Sequence, residues 1–362
     1  MYVCGVTPYD TTHLGHAFTY TSFDTLRRYL MHKGFDVRYT QNVTDIDDDI
    51  LRKAREEGRD WRELGDFWTK RFLDDMKSIN VMKPTHYVKA TSSIPHVVRM
   101  VRKLVSRGVA YRSGGNVYFD VGKFPRYGRL SHFSEHQMEM LLRERGGSPD
   151  DPNKRNPLDF ILWQGWREGE PYWNTHWGRG RPGWHIECSA MSNQYLGSRI
   201  DIHGGGRDLI FPHHESEIAQ SESYTGERPF SRFFMHTAMV MYMGEKMSKS
   251  LGNLVLVSHL MKTHTPNAIR WLMLSHHYRQ VWEYDEEEFE DAEHFSGMIS
   301  GLGAPIASKN DDADDVFVSE FDSVMDDDLN TPGALRMLGT LLDGGRDDAA
   351  ARRIAGILGF VV

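Results

Sequence analysis

The chain has 362 residues, 40% of them hydrophobic and 26% charged, the proportions of a soluble globular protein with room for two or three domains. Its net charge of −8 argues against a nucleic-acid footprint spread over the whole surface, while local basic patches stay compatible with RNA. No segment has the apolar length of a membrane span, and the N-terminal Met1-Tyr2-Val3-Cys4-Gly5-Val6 lacks the basic and apolar regions of a signal peptide, so a cytoplasmic protein is expected.

Residues 2–6 read as a short buried strand. Residues 14–33 have helical spacing, with Phe18, Phe23, Leu26, Tyr29 and Leu30 near one face and Gly34 as the stop. Residues 37–42 read as a second strand, which makes the opening a strand–helix–strand unit of a parallel sheet. Thr44 and Asp47 resemble a capping pair ahead of the next helix. Helical patterns cover 61–79 and 94–108, and 110–124 alternates like β structure. Residues 133–156 are polar, with Gly146, Gly147, Pro149 and Pro152, and read as an exposed loop. Strands are expected at 158–163 and 198–203, a helix at 211–224, and strand within 233–243. The tail from about Asp285 is acidic, with 311–315 a solvated linker and 331–358 helical.

Three groups of residues carry chemistry. Thr12-His13-Leu14-Gly15-His16 follows a strand and opens a helix, where free N–H groups and the positive dipole end favour phosphate. Gly15 permits close approach, and His13 and His16, three apart, can stabilise charge on an α-phosphate under attack. Lys246-Met247-Ser248-Lys249-Ser250, behind Gly244 and Glu245, suits a mobile clamp over departing pyrophosphate. The plain alternatives are two surface histidines and an ordinary basic loop. The third group is Cys4, Cys188, His213 and Glu217: two thiolates, an imidazole and a carboxylate form a plausible tetrahedral zinc set, with His213 and Glu217 four apart on one helix face. The two cysteines are too few for a disulfide framework, and taken alone they read as small buried hydrophobes.

The first two motifs, in this order and about 230 residues apart, resemble the HIGH and KMSKS signatures of class I aminoacyl-tRNA synthetases. With Thr44-Asp45-Ile46-Asp47-Asp48, Arg181-Pro182-Gly183-Trp184-His185-Ile186-Glu187-Cys188, and Asp201-Ile202-His203-Gly204-Gly205-Gly206 through His213-His214-Glu215, the chain resembles cysteinyl-tRNA synthetases and their relative, the mycothiol-pathway cysteine ligase, from residue 1 to about 340. The resemblance implies an α/β, Rossmann-like class I catalytic domain with a HUP-type parallel sheet in two halves, 1–105 and 157–243, around a connective insertion at 106–156. A KMSKS loop with a stem-contact-like helical region at 244–290 and a short C-terminal helical domain at 291–362 would follow.

It also implies ATP-dependent activation of L-cysteine to the adenylate, with ATP as substrate together with Mg2+. One Zn2+ per chain is implied, held by Cys4, Cys188, His213 and Glu217 and taking the substrate's thiolate. Thr7, Thr44, Trp184 and Asp208 match positions around the amino acid, Asp208 facing its ammonium and Trp184 walling the pocket. Thr12, Gly15, His203, Gly204, Gly205, Gly206, Met247 and Ser248 match positions on ATP, and His13, His16, Lys246 and Lys249 the catalytic groups. Core packing for Trp184 and a tight turn for the three glycines are the plain alternatives.

The run from Gly5 to His16, with proline after Thr7 and histidine closing the tetrapeptide, is similar to the ligase, as is Gly252 to Ser258. Glu217 follows the tRNA-enzyme pattern instead, either as a ligand or as a neighbour of the ligands. The chain stops soon after Asp326-Asp327-Asp328-Leu329-Asn330-Thr331-Pro332, so a short or absent anticodon-binding region is expected. The expected partners are L-cysteine, ATP and glucosaminyl-inositol, or tRNA(Cys) in the alternative reading, with a monomer and no membrane. A silent relative that binds nucleotide or a partner protein is the third reading. The insertion around 124–156 is the expected lid.

Overall fold

The computed structural model describes residues 1–247, 251–302, 311–344 and 348–362. In chain order the strands are β1 (Tyr2–Val6), β2 (Thr40–Val43), β3 (His86–Lys89), β4 (Ala110–Ser113), β5 (Asn116–Phe119), β6 (Phe160–Gly165), β7 (Trp173–Thr175), β8 (Gly178–Pro182), β9 (Ile200–Gly206), β10 (Ser231–Thr237), β11 (Val240–Tyr242), β12 (Glu245–Lys246) and β13 (Trp282–Glu283). The helices are α1 (Leu14–His32), α2 (Asp48–Glu57), α3 (Trp61–Ser78), α4 (Ile94–Ser106), α5 (Glu135–Glu144), α6 (Trp184–Leu196), α7 (Glu215–Thr225), α8 (Val257–Leu260), α9 (Pro266–Leu274), α10 (Phe289–Ser300), α11 (Asp311–Asp326), α12 (Thr331–Gly344) and α13 (Asp348–Leu358). The chain forms two compact units. One holds Met1–Tyr9, Arg38–Thr69 and Pro84–His236; the other holds Asp10–Val37, Lys70–Lys83 and Thr237–Val362.

In the first unit one sheet runs β10-β9-β1-β2-β3, with β1 parallel to both β2 and β9 and β2 parallel to β3. A strand in the middle of a parallel sheet is covered on both edges, which matches the burial of Tyr2, Val3 and Cys4. Tyr2 stands opposite Thr40 and His203, and Val3 opposite Gln41 and Gly204. Beyond Val3 the β1–β2 register shifts, and Gly5 N donates to Asn42 Oδ1 at 2.8 Å. Gly5 is dictated by that approach: a Cβ there would lie 1.6 Å from the Asn42 carbonyl oxygen. The second sheet, β4-β5-β6-β8-β7, is antiparallel throughout. Its Val117, Phe119, Phe160, Leu162 and Trp163 share a core with Val97, Val101 and Leu104 of α4 and Ile186 and Ala190 of α6.

The second unit is mainly helical, with a small β12-β11-β13 sheet. Helix α1 packs on α9 and α13, and α11, α12 and α13 pack on one another. Arg270 of α9 is fully buried and donates to Leu358 O at 2.6 Å, to Ile79 O at 3.2 Å and to the Asp24 carboxylate of α1. No helix among the described residues is long and apolar enough to cross a membrane.

Four local expectations are corrected. Residues 133–156 contain α5, because Ser134 and Gln137 close a reciprocal capping box and Met138 and Leu142 give the helix a buried face. The helix expected at 211–224 is α-helical over Glu215–Thr225, and Phe211, inside the irregular turn Ile210–His214 before it, is extended at φ −133°, ψ 136°. Asp311–Asp315 form the first turn of α11 rather than a linker. Asp47 alone caps α2, accepting from Asp49 N at 2.6 Å; Thr44 is buried at the end of β2, its N–H donating to Val6 O at 3.1 Å.

Burial pushes the Asp47 carboxyl up to about 6, against the Asp49 N–H that favours its charge. The folded protein therefore keeps a proton that the unfolded chain loses near pH 4, so the stability this group contributes is full below about pH 4 and lost as pH rises through 6. Asp47→Asn keeps a cap acceptor without the buried charge. It should exceed the parent in unfolding free energy by roughly 1–3 kcal/mol above pH 6, with the gap closing toward pH 4 in denaturant titrations.

Candidate active site

At the centre of the first unit, Cys4, Cys188, His213 and Glu217 are all buried, with one donor atom from each lying within 4.8 Å of all the others. Cys4, His203, His214 and Glu217 meet the same condition, so the expected tetrad shares two donors with a second one. Glu217 Oε2 lies 2.8 Å from His203 Nε2, 3.5 Å from His213 Nε2 and 3.6 Å from Cys4 Sγ. Cys4 Sγ lies 3.5 Å from His214 Nε2.

Each element has its part in this convergence. β1 brings Cys4 and β9 brings His203 on the neighbouring strand. Gly183 opens α6 and places Cys188 in its second turn. Because Phe211 breaks the helical path, His213 and His214 enter the site from the turn before α7, and Glu217 from the first turn of α7. The Nδ1 atoms of the two histidines are occupied elsewhere: His213 Nδ1 is 2.9 Å from His185 Nδ1, and His214 Nδ1 is 2.8 Å from His236 Nε2. That leaves both Nε2 atoms directed at the Cys4–Glu217 pair. Trp184, 39% exposed, stacks on the His213 ring at 4.3 Å between centroids.

Burial sets the charge state. It pushes the Cys4 thiol and the Glu217 carboxyl up, holds His213 and His214 well below the usual imidazole range, and lowers His203 and His185 to about 3. His213 Nε2 and Glu217 Oε1 make no hydrogen bond. Soft sulfur and imidazole donors, a carboxyl oxygen, full burial and orphaned acceptor atoms together fit a zinc-like divalent cation. Glu187, one residue before Cys188 and 1% exposed, also has no hydrogen bond at either carboxyl oxygen, and burial raises its pKa.

The other expected residues of this unit lie on or just after β1, β2 and β9. Gly204 pairs with Val3, and a Cβ on Gly205 would stand 3.6 Å from His214 Nε2, so the three glycines are strand rather than a tight turn. Asp208 lies in the 3-10 turn Arg207–Leu209, its carboxylate folded over Gly206, where a Cβ would come within 2.6 Å of Oδ1. Thr44 Oγ1 accepts from Asn42 Nδ2 at 3.3 Å, and Thr7 O accepts from Tyr9 N at 3.1 Å.

The second unit holds the first signature segment and the chain that follows the second. His13 caps α1, its Nδ1 accepting from Gly15 N at 3.1 Å, and its ring stacks on His16 at 3.8 Å. A Cβ on Gly15 would sit 3.0 Å from the His13 ring. Thr12, buried, donates to the Asp75 carboxylate. His13 forms a β-bridge with Leu256, and Leu14 N donates to Val255 O at 2.8 Å, so the segment that follows the lysine motif lies against the start of α1. Lys246 is exposed at the end of the β11–β12 hairpin and Met247 is buried; Ser248 and Lys249 lie outside the described residues. Asn253 Nδ2 donates to Tyr242 O at 3.1 Å and Lys246 O at 3.3 Å, closing the loop.

A parallel sheet entered by strand–helix–strand, with these two segments, defines a class I synthetase fold. Residues 1–294 match the family described as tRNA synthetases class I (C) catalytic domain, and the chain belongs to this enzyme family. An L-cysteine:1D-myo-inositol 2-amino-2-deoxy-alpha-D-glucopyranoside ligase of Thermobispora bispora is 45% identical over 351 residues, 97% of this chain and 86% of that protein. A cysteine–tRNA ligase of Thermococcus onnurineus is 45% identical over 352 residues, 93% of this chain and 73% of that protein. Methionyl-tRNA synthetase of Mycobacterium tuberculosis bound by methionyl-adenylate shares the fold, with a TM-score of 0.67 at 15% identity over 99% of this chain and 88% of that one.

Sequence reasoning did not single out His214, His185 or His236 as partners in the cluster. The adjacent His213-His214 pair was a visible signal; the partners of their Nδ1 atoms were not, because nothing in spacing reveals them. Asn253→Ala removes the hydrogen bonds from Asn253 Nδ2 to Tyr242 O and Lys246 O. Amide hydrogen exchange in the β11–β12 hairpin, residues 240–246, should accelerate severalfold while global stability changes little.

Proposed function

We propose that the enzyme activates L-cysteine with ATP, with Mg2+, and transfers the cysteinyl group to the amine of glucosaminyl-inositol, a step of mycothiol biosynthesis, releasing AMP and pyrophosphate. The observation that carries this reading is the buried convergence of Cys4, Cys188, His213 and Glu217 within 4.8 Å. Zinc held there by these residues supplies a soft acceptor for a thiolate, which serine and alanine cannot offer.

The chain's own groups then divide the work. Asp208 pairs with the cysteine ammonium, Trp184 walls the pocket, and Thr7 and Thr44 line it. His203 and Gly204–Gly206 take the adenosine, while Thr12, Gly15, Met247 and Ser248 take the phosphates. A cysteine carboxylate oxygen attacks the α-phosphorus, the bond to the β-phosphate oxygen breaks, and pyrophosphate leaves with the electron pair. His13, His16, Lys246 and Lys249 stabilise the charge that develops. The sugar amine next attacks the adenylate carbonyl, AMP departs, and the amine loses its proton as the amide forms. Both reactants held in one orientation supply much of the rate. Residues 1–105 and 157–243 serve as the halves of the catalytic domain, 106–156 as the insertion, 244–290 as the lysine-motif region and 291–362 as the helical end of a cytoplasmic monomer.

A second reading keeps the first step and changes the acceptor to the 3′-end hydroxyl of tRNA(Cys). The equal 45% identity to a cysteine–tRNA ligase favours it. Purified protein should exchange labelled pyrophosphate into ATP only when cysteine is present, and should form an amide with glucosaminyl-inositol. Ester on cysteine tRNA with no amide product would sink the main reading, and absence of cysteine-dependent exchange would sink both.

Metal content gives an independent check. Parent protein should bind about one equivalent of zinc, and Cys188→Ala or His213→Ala should lower its affinity by at least tenfold in competition with a chelator.

A further inference from the structure

Asp208, His213 and Glu217 all lie on one irregular segment, 208–217, made of a 3-10 turn, an extended Phe211 and the first turn of α7. Broken helical geometry leaves backbone groups that need partners from elsewhere. Residues 127–145 bond to the segment through both backbone and side chains. Glu215, 1% exposed, accepts from Gly128 N at 3.0 Å, Leu130 N at 2.6 Å, Ser131 N at 2.8 Å and Ser131 Oγ at 3.2 Å. Gly128 has φ +91°, the conformation that folds the 128–131 loop so that its N–H groups converge on one carboxylate. The Tyr127 hydroxyl lies 3.1 Å from Ser216 Oγ, and the Tyr127 and Phe133 rings meet Phe211 edge-on.

At the other end, Arg145 Nη1 donates to the carbonyl oxygens of both Asp208 and Phe211. Its position is fixed by the end of α5. Arg145 is the C-cap, Gly146 follows at φ +77°, and Gly147 N donates back to Leu142 O at 2.7 Å. One guanidinium therefore spans the turn on both sides of its break, and one carboxylate ties the helix start to the loop.

We infer that Arg145 and Glu215 are positioning residues for cysteine binding: by holding 208–217 from the 127–145 side they set where Asp208 and His213 stand. Neither one touches substrate. The inference rests on the cysteine-activating reading above. A small misplacement of groups that face a bound amino acid weakens its binding before it alters the chemistry on ATP.

The test is cysteine-dependent pyrophosphate exchange with the full chain as parent, Arg145→Ala, Arg145→Lys and Glu215→Gln. Arg145→Ala should raise KM for cysteine about tenfold, with KM for ATP and kcat within about twofold of the parent. Arg145→Lys should recover most of the loss, because an ammonium can also donate to both carbonyls. Glu215→Gln turns an amide N–H toward backbone donors and should shift KM for cysteine in the same direction. If folded Arg145→Ala and Glu215→Gln keep KM for cysteine within about twofold of the parent, the inference is wrong. It is equally overturned if KM for cysteine and for ATP rise together with a fall in Tm, the mark of a purely structural role. Should Arg145→Ala fail to fold, Glu215→Gln decides by the same split. A parent without cysteine-dependent exchange overturns the functional reading itself, whereas an active parent with unshifted variants overturns this inference alone.

Discussion

The first unit is organised around a costly act: burying two thiols, a carboxyl group and several imidazoles against one another. Desolvation disfavours every charged form, so the thiol and carboxyl hold their protons and the imidazoles stay neutral. Polar atoms such as His213 Nε2 and Glu217 Oε1 are left without hydrogen bonds. A fold does not keep such a cluster for stability, since apolar residues of equal volume would pack there at lower cost. The cluster makes physical sense as a receptor for something that supplies positive charge and accepts soft donors.

That constraint explains much of the surrounding architecture. Cys4 has to sit on a strand with neighbours on both edges, and β1 between β2 and β9 is such a strand. His213 and His214 are adjacent, yet both present Nε2 to one pair of atoms. Successive helical positions point about 100° apart; the second histidine layer of His185 and His236, each within 2.9 Å of one Nδ1, accompanies their convergence. Local irregularity is therefore concentrated where function requires convergence, and the regular elements around it carry the hydrophobic core.

The second unit solves a different problem by simpler means. The segment that follows the lysine motif is far from α1 in the chain and meets its start through backbone pairing of His13 with Leu256 and Leu14 with Val255. Backbone bonds of this kind demand no particular side chain at the positions they join. The stacked His13 and His16 rings follow from helical spacing of three residues, and Gly15 between them leaves the room they need.

Sequence alone determined the elements whose signal is local. Strand β1, the start of α1 and the two signature motifs were legible because periodicity, caps and glycine stops act over a few residues. The family was legible too, because motif order and spacing survive without coordinates. Tertiary structure decided what depends on distant partners. It drew His203 and His214 beside Cys4 and Glu217, left Phe211 extended ahead of α7, and turned residues around 135–144 into a helix docked on that turn. The reason is physical: a side chain's charge, tautomer and direction are set by desolvation and by hydrogen-bond partners hundreds of residues away, and no local pattern records them.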